Sequence, residues 1–172
     1  MPTSAATRLE TFIARMTAQR ICIDDARERL AGRPGVVFEL GLGNGRTYDH
    51  LRSRFPDRDI YVFERKVASH PASRPDPGFL FEGELSDTLP AAALHLAGTA
   101  VMVHADLGNH SATANRALFA WLGPVLAPLL ADKALVLTDQ RLDCAGYEPL
   151  EVPSGVEPGR YFYYCFNPGL KA

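Results

Sequence analysis

The sequence predicts an α/β domain with a mostly parallel sheet, an antiparallel hairpin at the C-terminal edge and an extra helix at the N-terminus. Three observations predict it. The apolar runs Val36-Val37-Phe38 and Ile60-Tyr61-Val62-Phe63 each end on an acid, Glu39 and Glu64. Between them the chain turns through Gly41, Gly43 and Gly45 into Tyr48, Leu51 and Phe55, apolar at helical spacing. A third run, from Thr99 through Val101, Met102 and Val103, stays uncharged until Asp106, as a strand buried on both faces does.

The elements follow in order. Leu9, Phe12, Ile13 and Met16 recur at helical spacing, and Thr7-x-x-Glu10 offers a capping box. Ile23, Ala26, Arg27 and Leu30 continue the pattern until Gly32-Arg33-Pro34-Gly35 stops it, so a long or broken helix precedes the first strand. After the glycine turn, Pro56-Asp57 ends the second helix. The crossover from Ser69 to Gly78 holds three prolines and reads as a solvated loop, a short helix or a flap. Phe79-Leu80-Phe81 is a third strand, leading into Glu82-Gly83-Glu84-Leu85. Asn115, Leu118, Phe119 and Leu122 give an amphipathic helix that Gly123-Pro124 should interrupt. Ala134 to Thr138 forms the fifth strand, and only Gln140 to Gly146 separates it from a final pair, 147–152 and 160–166, read as an antiparallel hairpin.

Length and composition bound the answer. A chain of 172 residues makes a single domain, a helical segment over 1–33 and an α/β core over 34–172, and buries roughly 70% of the surface its unfolded form exposes. Hydrophobic content of 47% and charged content of 22% are those of an ordinary globular protein. A formal net charge of −2 gives no electrostatic case for a nucleic-acid or membrane partner. Cys22, Cys144 and Cys165 are odd in number and lack metal-ligand spacing, which points to reduced thiols and a cytoplasmic location. Arg8, Glu10 and Arg15 break up any signal-peptide core.

The chemistry concentrates on Glu39-Leu40-Gly41-Leu42-Gly43-Asn44-Gly45 and on Glu64, nineteen residues past Gly45. Glycines take positive φ and leave no Cβ between main chain and ligand. The helix that follows aims free N–H groups at the same spot. Glu64 suits the hydroxyls of an unmodified ribose, with Arg65 and Lys66 beside it. The dinucleotide pattern Gly-x-Gly-x-x-Gly fails in both registers, because Arg46 or Tyr48 stands where the third glycine belongs. That disfavours a nicotinamide-dependent oxidoreductase.

The pattern present, Glu-x-Gly-x-Gly-x-Gly with an acid ending the second strand, resembles the class I S-adenosylmethionine-dependent methyltransferases. The resemblance covers roughly residues 34 to 166. It implies a three-layer Rossmann-like sandwich, S-adenosyl-L-methionine as cofactor and S-adenosyl-L-homocysteine as product. It further implies that Glu39, Gly41, Leu42, Gly43, Asn44 and Gly45 wrap the methionine end, and that Glu64 and Arg65 lie at the ribose. Gly83, Glu84 and Leu85, in the turn after the third strand, would take the adenine. Such enzymes often set an N-terminal helix over cofactor and substrate.

Ligands collect at the carboxyl ends of parallel strands, which makes Asp106 a cofactor-binding and catalytic candidate and His110 a second catalytic candidate. His104 reads as a packed strand residue. Asp106 and Asp139 occupy places comparable to the acids of catechol-type O-methyltransferases, but Gln140 follows Asp139 where that site needs an Asp-Asn pair, so no metal is expected. The Pro-Pro motif of amino-methylating nucleic-acid enzymes is absent after Asp106, and the short chain has no large recognition insertion. The expected function is therefore methyl transfer to a small molecule. The alternative is a domain that binds the cofactor without transferring its methyl, as a sensor or degenerate partner. The aromatic edge hairpin also offers a face for pairing with a second copy, a homo-oligomer.

Overall fold

The computed structural model describes residues 6–170; of the domain read over 1–172, residues 1–5 and 171–172 lie outside the described residues. The strands are β1 (Val36–Leu40), β2 (Ile60–Glu64), β3 (Leu80–Glu82), β4 (Ala100–Ala105), β5 (Leu130–Thr138), β6 (Tyr147–Leu150) and β7 (Phe162–Phe166). The helices are α1 (Arg8–Arg29), α2 (Arg46–Arg54), α3 (Leu85–Leu96) and α4 (Ala112–Leu126). The strands form one sheet in the order β3-β2-β1-β4-β5-β7-β6. The first five run parallel, while β7 is antiparallel to both β5 and β6. Strand order reverses between β1 and β4, so a crevice opens at their carboxyl ends.

Two apolar cores flank the sheet. Cys22, Ile23 and Ala26 of α1 and Leu51 of α2 pack with Val37 and Val62 on one face. Leu89 of α3 and Phe119 and Leu122 of α4 pack with Phe38 and Phe63 on the other. Every residue of β4 is buried. β6 closes the sheet as a strand of four residues, with Glu148 and Pro149 exposed on the last edge.

Helix α1 is a single run of 22 residues. The Thr7 Oγ1 accepts the Glu10 N–H at 3.2 Å, and a Glu10 carboxylate oxygen accepts the Thr7 N–H at 2.6 Å. Its two halves differ, however. Only the half from Ala18 onward is buried on the sheet, while Leu9, Phe12 and Ile13 are 66%, 39% and 54% exposed.

Three further segments bear on the sequence expectations. Helix α3 was not among the expected elements, because Pro90 and the Gly83-Glu84 turn mask the apolar spacing of Leu85, Leu89, Ala92 and Leu96. The 69–78 crossover, open in the sequence between a solvated loop, a short helix and a flap, forms two short 3₁₀ helices, Pro71–Ser73 and Pro77–Phe79, with Ser69 and Pro75 buried. Helix α4 runs through Gly123-Pro124 to Leu126 instead of breaking there. The Gly123 carbonyl accepts from the Tyr147 hydroxyl at 2.6 Å, and a Cβ at Gly123 would lie 2.3 Å from the Cys144 sulfur, so the glycine admits a close neighbour from the following loop.

Candidate functional site

The glycine turn is built by backbone conformation. Gly41, Gly43 and Gly45 have φ of +85°, +50° and +81°, values that L side chains adopt only at a cost. The Gly41 N–H donates to the Phe63 carbonyl at 2.8 Å, stitching the turn to β2. The Glu64 carboxylate then ties it further. One oxygen accepts from Leu42 N–H at 2.8 Å and Gly43 N–H at 3.2 Å, the other from Lys66 N–H at 3.0 Å.

Beneath the turn lies a buried polar chain. Glu39 of β1 and His104 of β4 are register neighbours, both with no exposure. Their side chains meet at 2.6 Å through His104 Nδ1, and His104 Nε2 lies 2.6 Å from the hydroxyl of Tyr161, itself 1% exposed. The second Glu39 oxygen accepts from the Thr47 hydroxyl at the start of α2. Burial alone would push the His104 pKa down; the charge and hydrogen bond of Glu39, aided by Asp106 and Asp139, outweigh it and raise the pKa above the ordinary value. The charged form of His104 is thus favoured beside this buried carboxylate more than in a free imidazole. Nδ1 donates to the acceptor-only Glu39 carboxylate, and Nε2 shares a hydrogen bond with the Tyr161 hydroxyl.

Above the turn is a crevice of about 750 Å³. Gly41, Leu42, Gly43, Asn44, Glu64, Arg65, Gly83, Glu84, Leu85 and Asp106 all line it. Two residues singled out with them do not. Glu39 sits under the turn, its oxygens committed to Thr47 and His104. Gly45 is buried at the N-terminus of α2, where a Cβ would lie 2.5 Å from that of Ser73, so its smallness serves the 69–78 crossover. His110 is exposed and stands outside this crevice, in an adjoining cavity.

Helix α1 supplies a wall that the sequence reading did not specify: Arg15, Met16 and Gln19. Gln19 is 1% exposed, and neither its amide nitrogen nor its oxygen has a hydrogen-bond partner among the described residues. Arg15 stands 3.8 Å from Asp106 as an ion pair across the mouth. Thr47, Asn109 and Trp121 also line it. A polar residue amid an amphipathic helix looks like its solvent face, which is why Gln19 escaped notice.

The adjoining cavity, about 540 Å³, lies over the carboxyl ends of β4 and β5 and shares Arg15 and Asn109 with the first. Asp139 borders it with both oxygens engaged, accepting from Leu107 N–H at 3.2 Å, Gly108 N–H at 2.8 Å and the Gln140 amide at 3.3 Å. Burial, with the nearby charge of Asp106, lifts its pKa above the usual carboxylate range despite those bonds. The loop above is pinned by Asn115, 5% exposed, whose side chain exchanges two hydrogen bonds of 2.9 Å with the Asn109 backbone.

Residues 6–166 match the model of a family of S-adenosyl-L-methionine methyltransferases. No curated protein matches the chain. Among solved structures, an S-adenosyl-L-methionine methyltransferase from Silicibacter pomeroyi is 44% identical, with a TM-score of 0.90 over 95% of this chain and 100% of its own. The antibiotic-resistance methyltransferase Kmr is 17% identical, with a TM-score of 0.52 over 86% of this chain and 93% of its own. The plantazolicin methyltransferase BpumL, solved with a triazolic desmethylPZN analog and S-adenosylhomocysteine, is 12% identical, with a TM-score of 0.52 over 76% of this chain and 48% of its own. The last two likenesses are of fold alone.

Proposed function

The chain belongs to the S-adenosyl-L-methionine methyltransferase family, and we propose that the acceptor of its methyl group is a small molecule bound beside the cofactor crevice. The enzyme is a methyltransferase whose cofactor is S-adenosyl-L-methionine. When bound, that cofactor supplies an electrophilic methyl group on a sulfonium.

The residues present fit the group. A Cβ added at Gly43 would point into open space, so the glycine keeps free the volume into which a ligand approaches the backbone. Gln19 presents a buried donor and acceptor without partners, a pair that a polar ligand tail would satisfy. We assign Glu64 with Arg65 to the ribose, Gly83, Glu84 and Leu85 to the adenine, and Gly41 to Asn44 with Asp106 to the methionyl end. Glu39 and Gly45 would act from beneath, by holding the shape of the turn. Asp106 would orient the acceptor at the junction of the two cavities, and His110, in the second, would take its proton. Holding two reactants in line is worth roughly 7–11 kcal/mol, so positioning carries most of the rate and a strong base is not required.

The observation that carries the small-molecule reading is the second cavity, about 540 Å³ and joined to the first at Arg15 and Asn109. Its location and size suit a metabolite. A cytoplasmic setting agrees with three unpaired cysteines. Among the described residues no helix is long and apolar enough to cross a membrane. The test is methyl transfer from labelled cofactor into a cell extract divided into low-molecular-weight, protein and nucleic-acid fractions. Label in the low-molecular-weight fraction is expected. Label confined to a macromolecular fraction would overturn the reading.

A further inference from the structure

We infer that the methyl acceptor is an anion, carrying a carboxylate or phosphate group that guanidinium groups hold over the carboxyl ends of β4 and β5. This rests on the proposed function above and names the chemistry of its acceptor. The cavity beside the cofactor crevice continues into a third, of about 590 Å³, with which it shares Asn109, His110 and Gln140. Together they make one groove leading away from the cofactor. Its charged lining is lopsided: Arg15, Arg116, Arg141 and Arg160 against Asp139 and Asp143, with His110 between them. The chain as a whole carries a net charge of −2, so this is a local concentration of positive charge.

The acids do not cancel it: Asp106 offsets only Arg15, at 3.8 Å. Asp139 spends both oxygens on backbone N–H groups and the Gln140 amide. Asp143 meets Arg141 only at 3.7 Å, with side chains 81% and 70% exposed, and Glu157 meets Arg160 at 3.4 Å. Pairs so loose and exposed contribute little and yield readily to a better partner. Arg116 is exposed and forms no ion pair among the described residues. Arg141 lies over the Phe162 ring at 5.9 Å, which steadies its guanidinium on the groove wall. Guanidinium forks match carboxylate and phosphate oxygens two at a time. Arg15 stands where groove and cofactor crevice meet, so an anion anchored in the groove brings its nucleophilic atom toward the junction.

The experiment divides a low-molecular-weight metabolite extract on an anion-exchange resin and offers each fraction, with labelled cofactor, to the wild type and to an Arg116→Gln/Arg160→Gln variant. Neither residue lines the cofactor crevice, so affinity for S-adenosylhomocysteine should stay within about twofold and report a folded protein. Label is expected in the retained fraction and should fall at least tenfold in the variant at limiting extract, which is what loss of about 1.4 kcal/mol of acceptor binding would produce. Phosphatase treatment separates the two sources: erased label identifies a phosphate ester, persistent label a carboxylate, and either sustains the inference. Label confined to the unretained fraction, or retained label undiminished in the variant, overturns it while leaving the small-molecule reading intact. Label in neither fraction, with S-adenosylhomocysteine still bound, overturns both.

Discussion

Replacing His104 by glutamine removes the ionisable imidazole that faces Glu39 and leaves that carboxylate with no exposure. Glutamine preserves approximate length and one hydrogen-bond donor, so the change is chiefly one of charge. Breaking a buried pair from one side costs about 3–5 kcal/mol. At about 2–4 °C per kcal/mol for a domain of this size, the midpoint of thermal unfolding should fall by about 6–20 °C. Neutralising the other partner as well, Glu39→Gln with His104→Gln, removes the uncompensated charge and should recover most of the loss, which a double-mutant cycle reads directly. The pH dependence has a definite sign. His104 has a pKa raised in the folded state above an unfolded value near 6.5, so its contribution is fully present below about pH 6.5. It is lost as pH rises through the folded value, and the His104→Gln variant should lack that component. Calorimetric unfolding across pH measures all three quantities. A folded single variant within about 1 kcal/mol of wild type, or a double variant no more stable than the single one, would refute the buried ion pair.

Three further outcomes follow from the same coordinates. Gln19→Leu should raise the stability of the ligand-free protein, because an unsatisfied buried amide costs about 1–3 kcal/mol, yet weaken S-adenosylhomocysteine binding by about 0.5–1.5 kcal/mol; thermal unfolding and titration calorimetry should therefore move in opposite directions. Gly43→Ala places a methyl group in the open space of the turn at φ +50°, at a conformational cost of about 1–2 kcal/mol; cofactor affinity measured by calorimetry should drop while the far-ultraviolet circular dichroism stays unchanged. Cys22 is fully buried, and burial, reinforced by Asp25, pushes its thiol up to about 12. In timed alkylation at pH 8 followed by mass spectrometry, Cys144 and Cys165 should be modified well before it.

Local pattern made some parts of this molecule readable and long-range contact hid others. The uncharged run into Asp106, the turn of alternate glycines and the Thr7–Glu10 capping box all act within a few residues, and each is legible in the sequence. Helix α4 is not, because what supports it at Gly123 is the Tyr147 hydroxyl, arriving from 24 residues away. Glu39 looked like a ligand for the same reason. Its side-chain partners, Thr47 and His104, with the Tyr161 hydroxyl on the far side of the imidazole, are assembled only when β1, β4 and the approach to β7 come together. Gln19 and Arg15 show the converse: their helix is legible in the sequence, but which of its faces meets the crevice is decided by its packing on α2 and β5. The apolar spacing of Leu9, Phe12 and Ile13 implied burial, and the fold leaves them in solvent.

The outermost strand has a consequence for how this protein behaves in a crowded solution. Pro149 brings no N–H to the rim, and Glu148 sets a negative charge beside it on a ribbon only four residues long. A foreign strand trying to zip onto that border would find a missing rung and electrostatic cost where it needs an unbroken ladder. The aromatic hairpin is thus guarded against open-ended stacking along this rim.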